Sequence, residues 1–217
     1  MNFDLEKMIE GYALFRQKYA LGDQSIMKGL WENGQYPKAM VIACCDSRVD
    51  PALILQCDPG DLFVVRNVAN IVPPYEKDGA HHGTSAALEF GICYLNINTL
   101  ILLGHSQCGG IQALLNKPND ASLPNDFISP WVSQIRSSPH LDVDTCAKFA
   151  VHQSFENCMT FPWMKEKYKN KELDIHQWFF DIKQGQLLSY KEDDKNFQPF
   201  ELCHEKRASS KTSPHVI

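Results

Sequence analysis

Short apolar runs of strand length, each stopped abruptly by a polar turn, constrain this chain more than any other feature. Met40 to Ala43 runs into Cys44-Cys45-Asp46-Ser47-Arg48, Leu62 to Val65 into Arg66-Asn67, and Leu100 to Leu103 into Gly104-His105-Ser106-Gln107-Cys108-Gly109-Gly110. The run Leu62 to Val65 is too uniformly apolar for an edge with one wet face and suits a buried parallel strand. Helical patterns separate the runs. The resulting order β-α-β-α-β-α predicts an α/β fold, a parallel β-sheet flanked by helices.

Leu5, Met8, Ile9, Tyr12 and Phe15 recur at helical spacing, so the first twenty residues read as an amphipathic helix. That apolar face must pack on its own domain or on a partner subunit. A second short helix over Ser25–Trp31 ends at Glu32-Asn33-Gly34, a turn signal. Strands follow over Ala39–Cys44, Leu62–Val65 and Thr99–Leu103. Asp50-Pro51 opens a short helix, with Pro51 in the first turn where its missing N–H costs nothing. Gly83–Leu95 reads as a helix rich in small residues, and Gly109-Gly110 opens another through Leu115. Residues 116–140 carry four prolines and read as loop and short helices. A longer helix runs from Val143 to about Cys158, and Pro162 interrupts the pattern. Ile175–Asp181 and Leu187–Tyr190, joined by a turn at Gly185, add a hairpin with an antiparallel C-terminal edge strand. The domain reading is an N-terminal helical arm (1–35), one α/β domain (36–190) and a polar, mobile tail (191–217).

Lys and Arg total 21 against 26 Asp and Glu, a net charge of −5, with no basic block, so neither nucleic acid nor an anionic membrane is an expected partner. Asp4, Glu6 and Glu10 break the N-terminal apolar pattern, unlike a signal peptide, and no segment has the length of a membrane span. A cytoplasmic location is expected. Eight cysteines are too few for a disulfide scaffold in a chain of 217 residues, which leaves thiols free to bind metal.

Cys44, His105 and Cys108 offer two thiolates and an imidazole, a donor set suited to tetrahedral zinc. Three protein ligands leave a fourth position open, the mark of a catalytic rather than a structural zinc. All three stand at strand ends, where open parallel sheets place their sites. Asp46 and Arg48, two residues apart, can form a bidentate pair. Held by Arg48, Asp46 faces the open position; released, it would become a fourth ligand and close the site.

These residues resemble the β-class carbonic anhydrases, whose pattern is Cys-x-Asp-Ser-Arg followed far downstream by His-x-x-Cys. The resemblance is dense from about Gln35 to Leu115 and favours the plant-like branch, through Gly60-Asp61-Leu62-Phe63-Val64-Val65-Arg66-Asn67-Val68-Ala69-Asn70 and Val72-Pro73-Pro74-Tyr75. It implies reversible hydration of carbon dioxide to bicarbonate and a proton by zinc-bound hydroxide, one zinc per subunit on Cys44, His105 and Cys108, with Asp46 and Arg48 as catalytic residues. It implies a homodimer or larger assembly with the site at the subunit interface, where Gln35 and Phe63 serve the neighbour's zinc. Substrate-pocket positions fall on Gln35, Phe63, Val68, Phe90 and Gly109, with Leu88 a weaker candidate. Phe90 stands where the plant-like enzymes carry tyrosine. The inhibitory bicarbonate site of some bacterial members falls on Val41, Arg66 and Phe180, which lack its tryptophan and tyrosine, so that regulation is expected to be absent. His81, His82 and Tyr75 are candidates for the proton relay.

Other readings stand beside this one. The same site would serve hydrolysis of carbon disulfide or carbonyl sulfide. A zinc protein closed by Asp46, Cys45 or Cys57 would be non-catalytic. A thiol redox role for Cys44 and Cys45 is disfavoured by the lack of a Cys-x-x-Cys spacing.

Overall fold

The computed structural model describes residues 5–79, 81–116, 124, 126–137 and 140–200. β1 (Ala39–Cys44) pairs in parallel with β2 (Leu62–Asn67) on one side and with β3 (Thr99–His105) on the other. β4 (Asp174–Asp181) continues beside β3, also in parallel, and β5 (Gln186–Lys191) and β6 (Asn196–Pro199) complete the sheet as antiparallel strands. The order is β2-β1-β3-β4-β5-β6.

The apolar runs explain why β1 and β3 sit inside. Every residue of β1 is buried, as is all of β3 after Thr99. On one face Met40, Ile42, Leu100 and Leu102 meet Leu88, Ile111, Ala147 and Val151. Val41, Ala43, Ile101 and Leu103 fill the other face, beside Trp178, Phe180 and Leu187. Each fully buried aliphatic chain contributes about 1.5–3 kcal/mol, so burial of these two strands is a large part of what holds the fold. Their carboxyl ends are where Cys44 and His105 lie.

The helices begin where side chains can cap them. Ser25 accepts from Lys28 N to start α2 (Ile26–Asn33), which Gly34 ends at φ 82°. Asp50 accepts from Ala52 N and Leu53 N to start α3 (Pro51–Ile54). After α4 (Gly83–Glu89) the chain widens into a π-helical turn over Phe90–Tyr94. α5 (Gly109–Asn116) follows β3, α6 (Ile128–Val132) lies in the proline-rich stretch, and α7 (Val143–Cys158) is capped by Asp142. The N-terminal helix, here labelled α1 (Leu5–Phe15), buries none of its residues.

The structure corrects several expectations. β2 is an edge strand, and Val64 is 39% exposed there; the uniform apolarity of this segment reflects a side left unpaired within one chain. Pro162 does not merely interrupt: it opens a further helix, α8 (Pro162–Lys169). The segment read as polar tail carries β6, whose Phe197 is buried against Phe179 and Tyr190; its residues 201–217 lie outside the described residues. Among the described residues no helix is long and apolar enough to cross a membrane.

Candidate metal centre

Because β1 and β3 are parallel neighbours in register Ala43↔Leu103, Cys44 and His105 leave adjacent strand ends together. The turn after β3 then brings Cys108 back to them. The Cys44 Sγ, Cys108 Sγ and a His105 ring nitrogen lie within 4.8 Å of one another, and all three residues are buried. The two sulfurs are 3.9 Å apart. Two thiolates on one tetrahedral zinc, with bonds near 2.3 Å, sit about 3.8 Å apart, so the pair already has the spacing that zinc requires.

His105 shows which nitrogen would bind. Its Nδ1 lies 2.9 Å from the Ser106 carbonyl, so Nδ1 carries the proton and Nε2 keeps a free lone pair. That Nε2 is buried and, among the described residues, has no hydrogen-bond partner. Ser106 is itself fixed by β4, its N–H donating to the Phe180 carbonyl and its Oγ accepting from Ile182 N.

The thiols are prepared for a cation. Hydrogen bonding from Cys108 holds Cys44 well below the ordinary thiol range despite burial, with help from His105 and from the N–H groups of Asp46 and Ala69. The thiolate so formed, together with burial, pushes Cys108 up, although the N–H groups of Gly110 and Ile111 favour its ionised form. One proton leaves easily and the second resists. A dication supplies the charge that two adjacent thiolates need.

Asp46 stands beside the three ligands and not among them. Its Oδ2 is 3.9 Å from His105 Nε2. Arg48 holds it through Nε to Oδ1 at 2.9 Å, Nη2 to Oδ2 at 2.7 Å and backbone N to Oδ1 at 3.0 Å. These bonds keep the Asp46 carboxyl well below the usual carboxylate range, the Arg48 side chain being the main cause. Arg48 in turn donates to the Gln107 carbonyl at 3.1 Å. The Asp46 carboxylate is thus held by Arg48.

Arg66 does work that sequence reasoning missed. It clasps the whole turn after β1: Nε donates to the Cys44 carbonyl at 2.8 Å, Nη2 to the Asp46 carbonyl at 2.7 Å, and Nη1 pairs with Asp50 at 2.8 Å. Three of its five N–H donors are committed to this turn. The signal available was its place at the end of β2, level with Ala43 of β1.

The predicted pocket residues divide. Val68 packs against Gly110, where an added Cβ would come within 2.6 Å of Val68 Cγ1, so it adjoins the Cys108 turn. Val68 also lines an apolar cavity of about 500 Å3 with Asn67, Phe127, Ile128 and Trp131. Trp131 Nε1 donates to the Val68 carbonyl at 2.8 Å, a wall that the proline-rich stretch supplies and that no motif announced. Gly109 is exposed at the start of α5, with open space around it. Leu88 is fully buried in the core.

Gln35, Phe63 and Phe90 are not brought to the cluster by their own chain. Phe63 pairs with Met40, four residues before the Cys44–Asn67 pair, which puts it about 13 Å down the sheet. Gln35 is exposed ahead of β1, at the same far end. Phe90, 42% exposed, lies 6.0 Å from Phe63 and stacks on Tyr94 at 5.8 Å. His82 is paired with Asp78 at 2.7 Å and lines another cavity with Tyr75, Lys77 and Trp163 that shares no residue with the one at Val68.

A family model described as carbonic anhydrase matches residues 39–187. The chain is 37% identical over 189 residues to beta carbonic anhydrase 5, chloroplastic, of Arabidopsis thaliana, covering 82% of this chain and 62% of that relative. The chain thus spans less than two thirds of that relative's length. Among solved structures, that of the beta-carbonic anhydrase CcaA superposes with a TM-score of 0.80 at 31% identity, covering 90% of this chain and 99% of the other. One of two tetrameric beta-carbonic anhydrases from Sordaria macrospora gives a TM-score of 0.65 at 26% identity, covering 85% and 92%.

Proposed function

This chain belongs to the β-carbonic anhydrase family, and on that premise we propose that it catalyses the reversible hydration of carbon dioxide to bicarbonate and a proton. The observation that carries the reading is the unpartnered, buried Nε2 of His105 converging with two thiol sulfurs, beside a carboxylate that Arg48 holds off the ligand set. Cys44, His105 and Cys108 would hold zinc, the metal of this family. Zinc bound there supplies a water acidic enough to ionise near neutral pH and positive charge for the oxygen that develops on the substrate.

The side chains around the ligands divide the remaining work. Asp46, kept ionised by Arg48, accepts a hydrogen bond from the attacking water and turns its lone pair toward the substrate. Because its carboxyl is held well below the usual range, Asp46 cannot keep the proton; it orients, and the proton passes to buffer. Val68, packed on Gly110 in the turn that carries Cys108, offers apolar surface on which carbon dioxide loses nothing by leaving water.

We propose further that the pocket is completed by a second copy of the chain. Phe63 and Phe90 lie together at the sheet end remote from their own cluster, with Gln35 exposed ahead of β1 and Phe90 and Tyr94 exposed, as residues would be if they served a neighbour. Mixing a Cys44→Ser chain with a Gln35→Ala, Phe63→Ala chain tests this: recovery of activity supports the shared site, and none refutes it.

The reaction itself is tested by stopped-flow hydration of carbon dioxide across pH 6–9 with metal-analysed protein beside Asp46→Ala. Activity that follows zinc content, rises with pH and falls in the variant is expected. Full zinc with no hydration at any pH would overturn the reading in favour of a binding protein.

A further inference from the structure

Gln107, between the two downstream ligands, has φ 52°, a left-handed conformation unfavourable for a residue with a side chain. Such a conformation persists when its surroundings hold it from more than one side. Two contacts do so here. The Gln107 N–H donates to Asp144 Oδ1 at 2.7 Å, and its side-chain Nε2 reaches the same oxygen at 3.3 Å. On the other side of its Cα, the Gln107 carbonyl accepts from Arg48 Nη2, the nitrogen that also binds Asp46 Oδ2.

A continuous chain therefore runs from α7 to the carboxylate beside the metal ligands: Asp144, the Gln107 backbone, Arg48, Asp46. Its far end is rigid. Asp142 caps α7 through the N–H groups of Asp144 and Thr145, and Val151 of the same helix is fully buried against β3. We propose that Asp144 is a positioning residue for the hydration reaction: it fixes the twist of Gln107, Gln107 aims its carbonyl at Arg48, and Arg48 thereby keeps Asp46 turned toward the open position. This rests on the function proposed above, and it adds a residue 37 positions beyond the nearest member of the chain.

Losing a hydrogen-bonding partner of a metal ligand costs about 10- to 100-fold; Asp144 stands three contacts from the Asp46 carboxylate, so kcat/KM of Asp144→Ala should fall by about tenfold, the low end, with its zinc content unchanged. The competing explanation is that Asp144 acts as a negative charge in the first helical turn, favourable to the helix dipole. Asp144→Asn separates the two, since it loses the charge and keeps the acceptor. The readouts are stopped-flow hydration and the NMR signal of the Arg48 Nε–H, assigned by its loss in Arg48→Lys.

Positioning requires that the Arg48 signal shift and exchange faster in Asp144→Ala, that Asp144→Asn restore both signal and rate, and that Asp144→Ala cause no further loss in the Arg48→Lys background. An Arg48 signal unmoved in Asp144→Ala, an asparagine variant as slow as alanine, or fully additive losses would overturn the inference. If the alanine variant does not fold, the unmutated protein decides: a Gln107 amide bonded to a carboxylate exchanges slowly, and rapid exchange would overturn it equally. A zinc-loaded wild type that hydrates no carbon dioxide would sink the proposed reaction, while the Arg48 signal would still decide whether Asp144 holds this chain.

Discussion

A single methyl group at Gly110 should loosen the metal centre, and the structure sets the scale. A Cβ there would stand 2.6 Å from Val68 Cγ1, 3.1 Å from Ala69 Cβ and 3.3 Å from Ala69 N. Carbon atoms rest at about 3.6 Å, so Val68 must retreat by about 1 Å and the Ala69 backbone by a few tenths. Neither yields easily. Val68 is β-branched and its carbonyl is bound by Trp131, and Ala69 already occupies the left-handed region at φ 63°. Overpacking of this kind costs about 1–3 kcal/mol. Ala69 is also the residue whose N–H supports the Cys44 sulfur. If the turn escapes the methyl by moving off Cys44, the strain falls on the loaded state and zinc retention weakens by about 5- to 150-fold. Any share common to the loaded and metal-free states appears instead as a melting temperature lowered by about 2–4 °C per kcal/mol. Competition with a chromophoric chelator and thermal melting of Gly110→Ala measure both shares. Gly109→Ala is the comparison, because its Cβ would meet nothing within 4 Å, and it should keep zinc and melting temperature. Wild-type retention and melting in Gly110→Ala would refute the reasoning.

Two other perturbations follow from the same geometry. Arg48→Lys exchanges a fork making three side-chain hydrogen bonds for a single point charge; kcat/KM should fall about five- to thirtyfold, or about 1–2 kcal/mol, and a fully active lysine variant would show that Asp46 needs no bidentate hold. Arg48→Ala should also change acid stability. The Asp46 carboxyl is depressed in the folded protein, so its contribution is complete above the unfolded aspartate value near 3.9 and is lost as pH falls through the lower folded value. With Arg48 half exposed, that contribution is about 1 kcal/mol; the wild-type advantage in denaturant melts should be constant above about pH 5 and shrink below pH 4, and an advantage that grows in acid would reverse the sign argued here. At Gly104 a Cβ would meet Val151 Cγ2 at 2.4 Å, so Gly104→Ala should cost about 1–3 kcal/mol and Val151→Ala should recover part of it; additive losses in the melts of the double variant would contradict the contact.

The sheet was legible because burial on both faces leaves a mark in the sequence. β1 and β3 are apolar at nearly every position, and β1, α2, α3 and α7 lie within a residue or two of where apolar runs, Ser25, Asp50-Pro51 and the Val143 pattern put them. β2 was misplaced to the interior for the same reason: composition reports that a strand avoids water, not what shields it. β6 escaped notice because four residues, Asn196–Pro199, carry too little periodicity, and its one buried anchor, Phe197, sits among charges.

The metal ligands were legible for a different reason. Cysteine and histidine at strand ends are chemically specific, and the parallel pairing of β1 with β3 brings them together. The side chains that hold them leave no such mark, because Arg66, Asp144 and Trp131 act on backbone N–H and carbonyl groups, which every residue has. The pocket residues expose a further limit. Resemblance names Gln35, Phe63 and Phe90 as members of a site and implies that Gln35 and Phe63 serve a neighbour; the topology supplies a physical reason. A parallel strand has two ends, and with Phe63 paired to Met40 and Asn67 to Cys44, the aromatic group and the metal ligands occupy opposite ends of the same two strands. At about 3.3 Å per residue, no side chain spans that distance. Residues so placed either do nothing for catalysis or do it in another subunit, and the exposed Phe90–Tyr94 surface fits the second alternative.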